Sequence, residues 1–251
     1  MSRYILDFWD FIKSLYFAAR IRHKLIQRIE VFLRRRRNKL GLNYLDLYTE
    51  NSIGPIQQSE AVLLHAICMV ARPRVILEFG FLSGDSSFVF IKANDLRTNV
   101  YSVDCEQSRK YIASIRFGSL KNFKLITKMQ EEIAPEDYDF RMIDIVFFDG
   151  SHDFQSNIIT FKKIENDLSP SALVIVHDTG VWARNHMELI HQEFTMNKPS
   201  DFWDENGDFY HQLEERFFMK WLLQQGWSGV NFFTKSTLRH GLCVFQKNGE
   251  Q

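Results

Sequence analysis

Four short apolar runs decide what this chain can fold into: Arg74–Phe79 (RVILEF), Val100–Asp104 (VYSVD), Ile143–Phe148 (IDIVFF) and Ala172–Val176 (ALVIV). The last two are almost unbroken in apolar character, the pattern of strands covered on both faces. Helical stretches at Ser86–Ala93, Gln107–Phe117 and Phe154–Leu168 separate them, with a weaker strand at Phe123–Ile126. Strands alternating with helices predict an α/β fold built on a doubly wound, mostly parallel sheet, with ligands bound outside the carboxyl ends of the strands. A helix over Gln57–Ala71 precedes the first strand and stops before Pro73. After a helix at Tyr210–Gln225, Gly229–Thr234 and Leu242–Gln246 follow with no helix between them, which predicts an antiparallel hairpin at the sheet edge.

Twelve Gly and five Pro in 251 residues are too few for a sandwich of many short strands. Cys68, Cys105 and Cys243 are an odd number without metal-ligand spacing, so a reducing compartment is expected rather than a disulfide framework or a zinc site. The start, MSRYILDFWDFIKSLYF, has acids where a signal peptide needs an uninterrupted apolar region, and no segment reads as a membrane span. A cytoplasmic protein is the expectation.

The formal charge of zero is a cancellation. Residues 1–40 hold eleven basic side chains against Asp7, Asp10 and Glu30, a net of +8, so the other 211 residues, with 20 basic and 28 acidic, carry −8. Within the basic part Ile5, Phe8, Ile12, Leu15, Ala19, Ile26, Ile29 and Leu33 fall at steps of three and four, as in an amphipathic helix, which runs into Arg34–Arg37 and meets a stop at Gly41. A single-domain body over 41–251 carrying a basic helical extension over 1–40 is expected. The extension suits packing on the body or on a second copy of the chain as a homo-oligomer contact. Its charge and aromatics would also permit peripheral contact with an anionic membrane. Nucleic acid is the weaker partner, because the body is net acidic and shows no basic, aromatic-interleaved groove.

The richest segment is Glu78–Ser87 (EFGFLSGDSS), directly after the first strand. Gly80 and Gly84 allow a sharp turn and a close approach of backbone to ligand, and the amides opening the next helix can meet a carboxylate or phosphate. Neither the dinucleotide fingerprint nor the P-loop is matched. Asp104 closes the second strand 24 residues after Gly80, where an acid can accept hydrogen bonds from ribose hydroxyls. A second group gathers after the fourth and fifth strands: Asp149-Gly150-Ser151-His152 and His177-Asp178-Thr179. Two carboxylates with an imidazole and water suit Mg²⁺ or Mn²⁺, which lowers the pKa of a bound hydroxyl, and His152 is placed to take that hydroxyl's proton.

These motifs, ExGxxxGxS after strand one, an acid ending strand two, DGSH and HDT, resemble the class I methyltransferases that use S-adenosylmethionine, over about residues 56–247. The resemblance implies a Rossmann-like sheet of seven strands closed by the hairpin. It implies that Glu78, Gly80 and Gly84 line the methionine side of the cofactor, that Ser86 lies near its carboxylate, that Asp104 binds the ribose, and that the adenine sits near Met129–Glu131. DGSH with HDT is similar to the small-molecule and sugar O-methyltransferase branch. That likeness implies Mg²⁺ on Asp149, Asp178 and His177, with Asp149 and His152 catalytic. Sugar-modifying members have Glu-Asp where this chain has His177-Asp178, and an imidazole is a softer ligand for a hard cation.

The implied activity is methyl transfer to a hydroxyl of a small molecule or glycoside. Alternatives are a cofactor-binding scaffold or partner without catalysis, and an RNA or cap methyltransferase gripping its substrate with the basic helix. The aromatic and acidic segment after Pro199, with Trp203, Tyr210 and His211, is suited to a lid over the acceptor or equally to core. Arg239-His240-Gly241 reads as hairpin turn.

Overall fold

The computed structural model describes residues 42–48, 56–94, 97–182, 200–203, 209–210, 212–232 and 241–247. The expected helix over 1–40, most of the segment after Pro199, and Arg239 with His240 lie outside the described residues. The chain divides into two units, residues 1–47 and 48–251. In the first, Asn43–Leu47 form a 3₁₀ turn.

The second unit begins with helix α1 (Gln58–Ala71), where the Gln57 N–H donates to Glu60 Oε2 at 2.8 Å and Arg72 ends the helix at φ 48°. There follow β1 (Val75–Phe79), α2 (Asp85–Ala93), β2 (Asn99–Val103), α3 (Arg109–Phe117), β3 (Phe123–Ile126), β4 (Ile143–Phe148), α4 (Phe154–Ile164) and β5 (Leu168–His177). A two-residue ladder then joins β6 (Val181–Trp182) to β7 (Phe209–Tyr210), before α5 (Leu213–Gln224), β8 (Trp227–Phe232) and β9 (Leu242–Lys247). Tyr210 is therefore a strand residue rather than the start of the last helix, because it pairs with Val181 and carries the Arg216 guanidinium 4.2 Å over its ring. The helix after β4 stops at Ile164, four residues earlier than its apolar pattern suggests, in a 3₁₀ turn over Glu165–Asp167 that feeds β5. No helix among the described residues is long and apolar enough to cross a membrane.

The main sheet has seven strands in the order β3-β2-β1-β4-β5-β9-β8. The first five are parallel, β9 is antiparallel to β5, and β8 is antiparallel to β9. Successive side chains of a strand point to opposite faces. Phe147 accordingly meets Phe90 of α2 at 5.5 Å, and Phe148 meets Phe218 of α5 at 4.9 Å. Both rings are fully buried, which at about 25 cal/mol per Å² is worth roughly 2–3 kcal/mol each. The unbroken apolar character of IDIVFF is thus the signature of a sheet with helices on both faces. The core on one face gathers Val75, Leu77 and Phe79 of β1 with Phe161, Phe218 and Trp227. On the other face β1 presents Glu78 to α2.

Strand order reverses between β1 and β4, the switch point at which a doubly wound sheet opens a crevice. The chains leaving those strands cross so closely that a Cβ on Gly80 would stand 1.9 Å from the Asp149 carbonyl oxygen. Gly80, at φ +99°, is required by that crossing.

Candidate active site

A cavity of about 610 Å³ opens at the carboxyl ends of β1, β2 and β4, lined by Gly80, Asp104, Gln130, Asp149, His152 and Asp178 among others. Its size is that of sites for cofactors and other small molecules. Acids dominate its charged lining, with Asp104, Glu106, Glu131, Asp149 and Asp178 facing Arg109 and Lys128. The wall thus favours a ligand with positive charge.

Asp104 leaves β2 and clasps the loop after β1. Its Oδ2 accepts the N–H groups of Phe81 and Leu82 at 3.2 and 3.1 Å, and its Oδ1 accepts that of Glu106 at 2.9 Å. Three of roughly four lone-pair positions on the carboxylate are used in this way. Glu78, expected at the cofactor's methionine end, instead lies fully buried beneath the loop and accepts the hydroxyls of Ser86 and Ser87. Burial pushes its carboxyl up to about 7, against the opposing hydrogen bonds of Ser102, Ser86 and Ser87. Ser86 is spent on Glu78 and is absent from the lining of the large cavity. Gly84 is likewise not in that lining, since a Cβ there would run into the Phe81 and Phe117 rings at 2.6–2.7 Å. These three residues shape the loop from behind, while Gly80 and Asp104 face the cavity.

At the other end of the cavity one donor atom from each of Asp149, His152 and Asp178 lies within 4.8 Å of the other two. Both His152 and Asp178 hold left-handed backbone, at φ 48° and 57°, a conformation that costs a side-chain-bearing residue free energy and recurs where function imposes it. His177 is not part of this group. It is 1% exposed, and its nitrogens are taken by Asp149 Oδ1 at 2.7 Å and Glu60 Oε2 at 3.2 Å. Burial works against charge on His177, yet Asp149, Asp178 and Glu60 outweigh it and hold the imidazolium well above the usual histidine range. The expected third metal ligand is therefore a buried cation behind Asp149, and His152 takes its place in the cluster.

Sequence reasoning missed two acids, Glu60 and Glu215. Glu60 ties His177 to α1 and also accepts the Gly241 N–H at 2.9 Å. Glu215 on α5 meets His152 Nδ1 at 3.1 Å. Burial opposes charge on His152, but the bond to Glu215 and the nearby Asp178 and Asp149 carboxylates win, pushing its pKa up to about 9. The only sequence signal for either acid was a carboxylate at an otherwise apolar helix position, such as Glu215 two residues before Phe217-Phe218.

The matches to known proteins fall on this same region. Residues 77–179 fit the family profile described as "Methyltransferase domain". That stretch is similar to a methyltransferase domain. It contains Asp104, Asp149, His152, His177 and Asp178. Similar solved structures include an O-methyltransferase from Bacillus cereus in complex with SAH, 16% identical, with TM-score 0.56 over 83% of this chain and 88% of that one. TomG from Streptomyces achromogenes, an O-methyltransferase of tomaymycin synthesis solved with SAM, is 18% identical, with TM-score 0.56 over 78% and 82%. A putative caffeoyl-CoA O-methyltransferase from Staphylococcus aureus is 16% identical, with TM-score 0.58 over 89% and 100%. At these identities the likeness is one of fold, the Rossmann-like sheet of the class I methyltransferases. A curated relative, the uncharacterized protein y4gI of Sinorhizobium fredii, is 28% identical over 48% of this chain, and the match spans 15% of that protein's own length.

Proposed function

We propose that the chain is an S-adenosylmethionine-dependent O-methyltransferase, acting on a hydroxyl of a small molecule or sugar with the help of a divalent cation. The observation that carries this reading is the placing of Asp104 and the Asp149–His152–Asp178 cluster in the lining of one acid-rich cavity. A cationic nucleoside fits the residues present: the lining is rich in carboxylates, and Asp104 retains acceptor capacity beyond its three amide bonds. When bound, S-adenosylmethionine supplies a methyl group on a positively charged sulfur, open to displacement in line by an oxygen nucleophile.

Everything else falls to the protein. Asp104 would orient the ribose, and the loop it clasps would set the direction in which the methyl group points. Asp149 and Asp178 would hold Mg²⁺ or Mn²⁺, a hard cation that acidifies a hydroxyl it binds, leaving the Nε2 of His152 to the acceptor. The hydrogen bond to Glu215 first, and then these same carboxylates, hold the proton on His152. In its neutral form His152 would accept the proton of the acceptor hydroxyl.

Titration calorimetry with S-adenosylhomocysteine tests the cofactor part: binding is expected to weaken at least tenfold in Asp104→Ala, about 1.4 kcal/mol or more. Undiminished affinity would remove Asp104 from the site. Turnover of a hydroxylated acceptor should stop with EDTA and return with Mg²⁺, and activity indifferent to both would remove the cation.

A further inference from the structure

From the cavity wall a chain of polar side chains runs inward and joins three helical elements. The Ser151 N–H donates to Gln130 Oε1 at 3.2 Å; Gln130 Nε2 donates to Asn157 Oδ1 at 2.9 Å; Asn157 Nδ2 donates to Glu215 Oε2 at 3.1 Å; Glu215 Oε1 meets His152 Nδ1 at 3.1 Å. Gln130, Asn157 and Glu215 are at most 7% exposed, so water does not compete for these bonds. Three of the four links fall between residues 21, 27 and 58 positions apart in sequence, and the fourth between residues 63 apart. The folded structure alone brings them together.

The direction of the chain is fixed at its start. A backbone N–H can only donate, so the atom of Gln130 facing Ser151 must be its oxygen, which leaves its NH₂ to face Asn157. Asn157 must then offer its oxygen to Gln130 and its NH₂ to Glu215. Each amide flip is thereby decided by the one before it, and Glu215 receives a donor on Oε2. Its other oxygen, Oε1, is left to accept from the imidazole. On the far side of the ring His152 Nε2 points toward Asp178, with Oδ2 3.8 Å away.

We propose that Glu215 is the positioning residue of His152: anchored through Asn157 and Gln130 to the backbone of Ser151, it holds the proton on Nδ1 and turns the Nε2 lone pair to the cavity. The inference rests on the reading of His152 as the group that takes the acceptor's proton, and deepens it. A ring free to flip or to carry its proton on Nε2 would present an N–H where a base is needed. The same hold explains how His152 keeps its left-handed backbone, since the loop is tied to α5 through the side chain as well as through the strand.

Two measurements test it. Long-range ¹H–¹⁵N spectra of the whole protein at alkaline pH, where the ring is neutral, should show His152 protonated on Nδ1; in Glu215→Gln the new amide turns its oxygen to the Asn157 NH₂ and its own NH₂ to the ring, and the Nε2–H tautomer should prevail. In a double-mutant cycle Glu215→Gln should lower kcat ten- to a hundredfold while leaving KM and the affinity for S-adenosylhomocysteine within about twofold, and should have no further effect on kcat in a His152→Ala background. An Nε2–H tautomer in the wild-type protein, or equal losses from Glu215→Gln with and without His152, would overturn the proposal. The spectra require neither cofactor nor turnover. A wild-type protein that fails to bind S-adenosylhomocysteine would therefore overturn the methyltransferase reading and leave the tautomer result to stand or fall by itself.

Discussion

Glu78 is a carboxylic acid set into the middle of β1, fully buried, with serine hydroxyls from α2 as its partners. Its pKa is raised from 4.5 to about 7. The folded state therefore binds a proton more tightly than the unfolded chain does, and the stability this lends is complete below about pH 4.5 and lost as pH rises through about 7. The full span is worth about 3 kcal/mol. Thermal melts should show Glu78→Gln losing less stability than the wild type between those two pH values, and parallel pH profiles for the two proteins would show that Glu78 does not titrate there. At the residue scale this separates two tasks that one motif combines. ExGxxxGxS marks the turn correctly as the place where the sheet opens. Yet Glu78, Gly84 and Ser86 build that turn from within, and motif spacing cannot tell a residue that touches a ligand from one that supports the backbone touching it.

At the scale of elements, the loops after β4 and β5 each contribute a carboxylate at the strand end, and their spacing is set by the β4–β5 ladder, Phe148 against Val176. Asp149→Asn removes one of the two charges and also loosens the acceptor of His177. Mg²⁺ affinity by calorimetry is expected to fall at least tenfold, with the fold retained by circular dichroism; unchanged affinity would place the cation elsewhere. The carboxyl-end position of Asp149, His152 and Asp178 was legible because apolar runs of strand length announce where a strand stops. The exchange of His177 for His152 was not legible. Both histidines follow a strand closely, and only burial shows that one points under the sheet, where Glu60 of α1 and Asp149 enclose it, while the other reaches the cavity. Glu60 and Glu215 escaped for a related reason: their partners lie 117 and 63 residues away in sequence. Helix periodicity assigns a charged residue to solvent unless the fold supplies a partner.

For the whole molecule, every described residue that lines the large cavity falls between Gly80 and Gln212, inside the unit spanning residues 48–251. The +8 charge lies outside that unit, in residues 1–40. Residues 48–251 made alone are accordingly expected to bind S-adenosylhomocysteine within about twofold of the full chain, while only the full chain pellets with vesicles rich in anionic lipid, with an affinity that salt weakens. Equal vesicle binding by both proteins would take the basic segment out of that role. The alternation of strands and helices foresaw the parallel strands, the missing helix before Leu242 foresaw the closing hairpin, and the count of seven came from the family resemblance. What the alternation left open was the insertion of β9 between β5 and β8, since two adjacent antiparallel strands can join a sheet by either edge.

That insertion has a consequence for how the protein comes into being. β9 follows every other strand of the described residues yet occupies an interior place in the sheet, with β5 on one side and β8 on the other. During synthesis β5 waits with an open edge, and β8, already made, has no partner. The residue just before β9, Gly241, also supplies the N–H that fixes Glu60, and through Glu60 the imidazolium behind Asp149. The acid-and-imidazole cluster thus gains its full set of contacts only once Gly241 has been made, and a nascent chain stalled before Gly241 holds the motifs without their geometry.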